Sequence, residues 1–432
     1  MTEPLVVAIE AQVPSGQEGG IEPLLIALLG TLGQLRDGAE EYRIVTNTND
    51  FAWLEPYLAS NQKIVPAPAP AVLSAERVKR FLGPLRAPAG KMLRRAKRAF
   101  VPPSPPTVPA TPHSDGFYES LGAHVLHITY PLHFFLSALP TVFGIYDLNH
   151  RHLDTISAEH TAWREVLYSD AFAHSRVIAA DAYWVRDDVI KQYNTPREKL
   201  FAVPLAAPMA FLPEPTVAQC AQVQVRYKLP AQFVLYPSRL YQHKNHLRLL
   251  DALALLRDRD NLRVPCVCTG PTGETWDAVR AHRATLQLQE QVLFLDFVPG
   301  PDLKAIFHLA RGLVFPSIFE GIGLGAVDAM NENLAIACSD IVSLREYVGD
   351  GAIYFDPHSV DDMSQAIRRL WSDDALRQDL IARGRAQNQK FSWLHTAKTY
   401  RALYRHAAGR ALTPEDQWLL RVAQTSSDEK DD

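Results

Sequence analysis

The sequence predicts an α/β protein of two doubly wound, Rossmann-like domains facing each other across a cleft. Three observations predict it. An apolar run at residues 5–9, a glycine-rich loop at 14–20, a helix-periodic run at 21–35 and a second apolar run at 42–46 form the strand–loop–helix–strand opening of a doubly wound sheet. A proline-rich, weakly polar stretch at 204–215 then punctuates the chain. Beyond it the alternation of short apolar runs and helical periods begins again at 233–236. The resulting divisions are an N-terminal domain over 1–207, a C-terminal domain over 208–395, and a last segment over 396–432 whose helices return toward the first domain before an acidic tail.

After the opening, short runs of apolar residues at 125–128, 140–145 and 176–180 read as further buried strands. Helical periodicity fills 157–173 and 182–193. In the second half, strands are expected at 233–236, 264–269, 292–294, 313–315, 335–338 and 352–355. Helices are expected at 246–257, 276–288, 303–310, 325–331 and 360–387, with a last one at about 394–411.

The chain has 432 residues, ample for two cores. Its net charge of -4 argues against nucleic acid as a partner of the whole protein. The four cysteines form no CxxC pair, so reduced, buried thiols and a cytoplasmic compartment are the expectation. No apolar stretch is long enough to span a bilayer. Residues 76–100 carry nine Lys and Arg against one acid, Glu76, with apolar residues between them. This insert, continued by the proline-rich piece 101–112, reads equally as a basic surface for an anionic membrane, giving peripheral association, and as a solvated loop. His243 and His246 have i, i+3 spacing, but no further ligand accompanies them and no metal site is expected.

The chemistry concentrates in two stretches of the second half. Residues 313–330 read LVFPSIFEGIGLGAVDAM. Glu320 is followed by Gly321, Gly323 and Gly325, and a helix-forming run then carries Asp328. A strand that ends in a glycine turn opening a helix is an anion site, because glycines admit close approach of backbone N–H groups and a helix N-terminus adds partial positive charge. The second stretch, YPSRLYQHKNHLRLL at 236–250, places Arg239 and Lys244 just beyond a strand's carboxyl end. A rigid guanidinium fork and a mobile ammonium together suit a diphosphate. Phosphate grips flanked by carboxylates for hydroxyls suggest a nucleotide sugar.

Three segments of the second half, SRLYQHKNHLRLLDAL, FPSIFEGIGLGAVDAM and ACSDIVSLREYVGDGAIYFDP, with the late FSW, resemble the donor-binding half of family-4 retaining glycosyltransferases of the GT-B fold. QEGGIEPLL, GIYDLNHRHLD and KLFAVPLA in the first half resemble bacterial members that build O-antigen and other surface polysaccharides, by mannosyl or rhamnosyl transfer. The resemblance implies roles. Arg239 and Lys244 would neutralise the donor diphosphate, Glu320 would sit at the transferred sugar, and Asp328 would take the ribose. Amides around Gly321, Gly323, Leu324 and Gly325 would hold the sugar or distal phosphate. The strand ends at Thr269-Gly270 and Val298 would meet the base, and Gly19-Gly20 would close over the phosphates from the first domain.

Four positions depart from the pattern. Asp328 replaces a glutamate, Gly325 a proline (loosening the turn), and Asp296 a glycine. A catalytic His-Asp pair becomes Tyr146-Asp147, with His150 three residues on from Asp147 as a substitute base or a structural histidine. The implied activity moves a hexose, with retention, from a GDP-, UDP- or dTDP-linked donor to a glycan hydroxyl, for which a lipid-linked acceptor is expected. No cofactor is required for it. A nucleotide-sugar epimerase and an inactive nucleotide-sugar-binding protein are the alternatives.

Overall fold

A computed structural model describes residues 3–13, 20–47, 50–68 and 108–425. The basic insert at 76–100, Gly19 and the acidic tail lie outside these residues. Among the described residues, thirteen strands form two parallel sheets. The first sheet contains β1 (Leu5–Glu10), β2 (Glu40–Thr46), β3 (Gln62–Pro66), β4 (Val125–Ile128), β5 (Thr141–Ile145), β6 (Val177–Ala180) and β7 (Leu200–Ala202), in the order β3-β2-β1-β4-β5-β6-β7. The second contains β8 (Val234–Pro237), β9 (Cys266–Thr269), β10 (Val292–Phe294), β11 (Gly312–Phe315), β12 (Ile336–Ser339) and β13 (Ala352–Phe355), in the order β10-β9-β8-β11-β12-β13.

Each sheet grows outward in both directions from its first strand. The order therefore reverses between β1 and β4 in one sheet and between β8 and β11 in the other. Ligands of open parallel sheets bind in the crevice beyond the strand ends at such switch points. The short strands are nearly continuous apolar runs because helices cover both faces of each sheet; every residue of β4, β5, β6, β9, β11 and β12 is buried.

The helices Trp393–Ala407 and Pro414–Gln424 pack on the first sheet and its helix Ile21–Gln34. Arg401 pairs with Asp37, and Arg405 bridges Glu40 and Asp416 at 2.7 and 2.8 Å. Buried His127 meets the Tyr404 hydroxyl at 2.8 Å; burial depresses its pKa to about 3, so it is a neutral packing group. The connection between the sheets is not a bare linker. It contains the 3₁₀ turn Pro208–Phe211, and the buried Lys304 ammonium bonds the Met209 and Leu212 carbonyls at 3.3 and 3.0 Å.

Some elements depart from the expectation. Residues 360–387 form two helices, Val360–Ser372 and Asp374–Asn388, because the Asp373 carboxylate caps the second by accepting the Leu376 amide at 2.9 Å. The edge strands β3 and β7 and the helices Val217–Arg226 and Val342–Val348 were not expected from periodicity. The strands are short, and Val217 and Val225 put exposed apolar residues on a helix whose pattern they obscure.

Candidate active site

The C-terminal wall of the cleft begins where β8 ends. Asn245 adopts a left-handed backbone, φ 63°, which asparagine tolerates better than most residues. Its side-chain amide donates to the Pro316 and Pro357 carbonyls at 3.0 and 2.8 Å. The Tyr236 hydroxyl donates to the Lys244 carbonyl at 2.7 Å, and the Ile318 amide donates to the His243 carbonyl at 2.8 Å. These bonds zip the loop after β8 to the loop after β11. They bring the Lys244 Nζ to 2.7 Å from Glu320 Oε1, both side chains mostly buried. Arg239 stands at the start of the same loop, its guanidinium donating to the Tyr241 hydroxyl at 3.0 Å.

The glycine turn follows directly. Gly323 has φ 83° and caps the N-terminus of the helix Leu324–Asn331. A side chain at this φ would strain the turn. Gly321 is required for another reason. A Cβ there would lie 2.2 Å from the Tyr146 carbonyl oxygen of the other domain. Gly325 does not loosen the turn, contrary to expectation. A Cβ there would come within 2.9 Å of the Phe315 ring and 3.2 Å of Pro237, so glycine lets the helix seat tightly against both strands. Gly20, at the start of the helix Ile21–Gln34, abuts Leu324 from across the cleft. Two helix N-termini therefore approach one another beside Lys244 and Glu320.

On the N-terminal wall the Tyr146 hydroxyl donates to the Thr129 carbonyl at 2.6 Å, and burial holds its pKa well above the ordinary phenol value. It is a neutral anchor in place of a histidine. Asp147 Oδ1 accepts the Asn149 amide at 2.9 Å and caps that turn. Burial raises its pKa; the Lys244 charge opposes the rise and that of Glu320 adds to it. His150 turns away. Its Nε2 lies 2.9 Å from the Tyr193 hydroxyl and 3.2 Å from Glu165, its ring packs on Tyr168, and burial lowers its pKa to about 4. That placement is structural, and it corrects the substitute-base reading.

The remaining candidates line the edges. The Thr269 carbonyl accepts the Ser238 amide at 2.7 Å, and Gly270 lies against Ser238. Asp296 caps the Thr272 amide at 3.3 Å, and Val298 is buried beside exposed Phe297. Asp328 is buried and its Oδ1 accepts the Met209 amide of the interdomain connection at 3.1 Å; burial raises its pKa to about 7. Histidines 243 and 246 are driven neutral by burial, to about 4 and about 3, and His246 packs between Tyr236 and Phe294. Glu214, His308 and Glu332 converge elsewhere, but Lys304 Nζ sits 2.7 Å from Glu214 and 3.6 Å from Glu332 and supplies that cluster's positive charge.

Sequence reasoning missed the contacts that join the walls. The Trp184 indole donates to the Gly321 carbonyl at 2.6 Å. Glu346 accepts the Tyr183 and Trp184 amides, each at 2.8 Å. His152 stacks on Phe319, the residue before Glu320, with its Nε2 2.7 Å from Asp188. Glu346 stands within the quoted motif SLREYV, but its partners lie in the other half of the chain.

Two parallel sheets of this order across a cleft are the GT-B fold. Residues 223–387 match the family described as glycosyl transferases group 1. The chain is similar to O-antigen chain mannosyltransferase B of Escherichia coli, 30% identical over 236 residues, which are 54% of this chain and 62% of the relative. It is also similar to the O-antigen chain mannosyltransferase RfbU of Salmonella typhimurium, 27% identical over 44% of this chain and 49% of the relative. The chain thus spans less than two thirds of these relatives' lengths. Among solved structures it resembles the sucrose-phosphate synthase of Thermosynechococcus elongatus, with TM-score 0.66, 16% identity and coverage of 93% and 98%. It resembles Anabaena HepE in complex with UDP and glucose, with TM-score 0.65, 16% identity and coverage of 92% and 99%. Among the described residues no helix is long and apolar enough to cross a membrane.

Proposed function

We propose that this protein is a retaining glycosyltransferase that moves a mannosyl or related hexosyl unit from a nucleotide diphosphate sugar to a hydroxyl of a glycan acceptor, lipid-linked, in bacterial surface polysaccharide synthesis. The observation that carries the reading is the Lys244–Glu320 pair at the mouth of the glycine turn, facing Asp147 across the cleft. The mannosyltransferase relatives support the sugar, and they leave the epimerase alternative without support. In the proposed reaction the acceptor oxygen bonds to the anomeric carbon as the bond from that carbon to the diphosphate breaks. The hydroxyl proton passes to the leaving phosphate. Arg239, Lys244 and the amides at 323–325 hold the charge developing on that phosphate, Glu320 faces the sugar, and Asp328 approaches the ribose with the oxygen not bonded to Met209. Fixed donors aimed at a leaving oxygen are each worth about 2.7–4 kcal/mol.

A thermal-shift series with GDP, UDP and dTDP tests the donor side, since a ligand raises the melting point by mass action. We expect GDP to give the largest shift. Incubation with GDP-mannose and a neutral mannoside, followed by NMR, reads the product's anomeric configuration. A flat series, or an inverted product, would overturn the reading. The basic run at 76–100 is the proposed contact with an anionic membrane. Equal flotation on phosphatidylserine vesicles by the full chain and by a deletion of 76–100 would remove that contact.

A further inference from the structure

We propose that Arg164 and Asn149 are positioning residues that hold the Asp147 carboxyl against the transferred sugar, where it meets one hydroxyl; the inference rests on the transferase reading above. Asp147 lies just beyond the carboxyl end of β5. The glycine turn of the other domain closes on it. A Cβ built at Gly321 would lie 3.5 Å from the Asp147 Cβ, beside the Tyr146 carbonyl. Gly321 follows Glu320, the group that the reading places at the sugar. Asp147 therefore borders the same place from the opposite wall.

The carboxyl is half-buried and only half-used. Its Oδ1 accepts the Asn149 amide at 2.9 Å, and its Oδ2 makes no hydrogen bond among the described residues. Capping the turn needs one oxygen, so local structure does not account for the second. A sugar hydroxyl fits it in either protonation state, because a hydroxyl donates to a carboxylate and accepts from a carboxylic acid.

Arg164 fixes the direction of that oxygen. It lies on the helix Ala158–His174, and its Nη1 donates to the Asn149 Oδ1. The support thus runs from the guanidinium through Asn149 to Asp147. Anchoring the short helix Asn149–His152 does not require it, since Arg151 already grips Glu165 of the same long helix, through Nε at 2.7 Å and through Nη2. The Arg164 Nε is buried with no hydrogen-bond partner among the described residues. Placing a cation there is costly, and what it supplies is orientation and charge. Burial raises the Asp147 pKa, and the Asn149 amide and the Arg164 charge oppose the rise.

The test uses the full chain with octyl α-mannoside, GDP-mannose and a set of GDP-mannose donors each lacking one sugar hydroxyl. Asp147→Ala should lower kcat/KM for GDP-mannose roughly tenfold, the loss of one hydrogen bond to an ionisable group, with the GDP-induced thermal shift unchanged. One of the deoxy donors should react equally fast with wild type and Asp147→Ala, because the carboxyl has no partner on it; comparing the two enzymes cancels that donor's own reactivity. Arg164→Met should lower kcat roughly fivefold, Arg164→Lys should recover part of the loss, and Arg164→Met added to Asp147→Ala should cost nothing more. Should Asp147→Ala fail to fold, Asp147→Asn, which keeps an oxygen for the Asn149 amide, takes its place. Equal slowing of every donor by the Asp147 variant, or a cost of Arg164→Met that is the same with and without the carboxyl, would overturn the proposal. Failure of the wild type to bind any nucleoside diphosphate would instead sink the transferase reading beneath it.

Discussion

The two walls of the cleft share the order of their first six strands and differ in the groups that the loops beyond those strands present. The C-terminal wall presents Arg239, Lys244 and a glycine turn at a helix N-terminus. The N-terminal wall presents buried Glu10 and Asp181 and half-buried Asp147. Burial pushes the Asp181 carboxyl well above its usual range, with the Asp147 charge adding to the rise, and burial also moves Asp147 upward. Identical topology thus supports two unlike sites, because the loops beyond the strands decide the chemistry.

The sharpest way to break this comparison is to remove the basic wall's mobile charge. Lys244→Ala should lower kcat/KM by about 100- to 1,000-fold, the loss of one charge-stabilising contact. It also leaves Glu320 without its 2.7 Å partner. Near-normal steady-state turnover with GDP-mannose would end the phosphate role. Next, Gly321→Ala drives a methyl into the Tyr146 carbonyl. The walls must then separate, and kcat should fall by about 100-fold, the effect of a misplacement of about 1 Å. The GDP-induced thermal shift should survive, because the cations stay in place. Loss of that shift would mean that the two walls bind the nucleotide jointly.

How legible this was follows sequence distance. The C-terminal wall is written in local spacing: Arg239 and Lys244 lie in one loop, and Glu320 and Gly321–Gly325 in one turn. The fold class was therefore readable. Glu10 and His133 are 123 residues apart, and Trp184 and Gly321 are 137 apart. No local pattern announces pairings of that range, so the N-terminal wall was not readable. Gly325 was misread for a related reason. Its glycine answers the Phe315 ring and Pro237, neighbours supplied by other strands, and not the turn's own geometry. His150 looked like a base because Asp147 is close in sequence, yet the helix Asn149–His152 rotates it toward Tyr193.

Asp328 offers a smaller effect with a defined pH window. Burial raises its pKa from 3.8 to about 7. The folded state therefore holds this proton more tightly than the unfolded chain between about pH 4 and pH 7, and this group makes stability fall as pH rises through that window, then level off. Asp328→Asn keeps an oxygen for the Met209 amide and removes the titration. The variant should be more stable than wild type by about 4 kcal/mol at pH 8 and show no such difference at pH 4, each tenfold change in proton affinity being worth about 1.4 kcal/mol. Urea unfolding of the ligand-free protein at both pH values measures it. Equal stability at pH 8 would mean that water reaches this carboxylate.

The smallest effect tests the contact between the walls and not either wall itself. Trp184→Phe keeps a ring against Phe319, 5.8 Å away at present, and deletes only the N–H that holds the Gly321 carbonyl. One such bond is worth about 1 kcal/mol, so kcat should drop roughly fivefold while the GDP shift and the acceptor KM stay fixed. That pattern would assign the indole to holding the cleft shut during transfer. A change in acceptor KM alone would instead make Trp184 a contact of the acceptor.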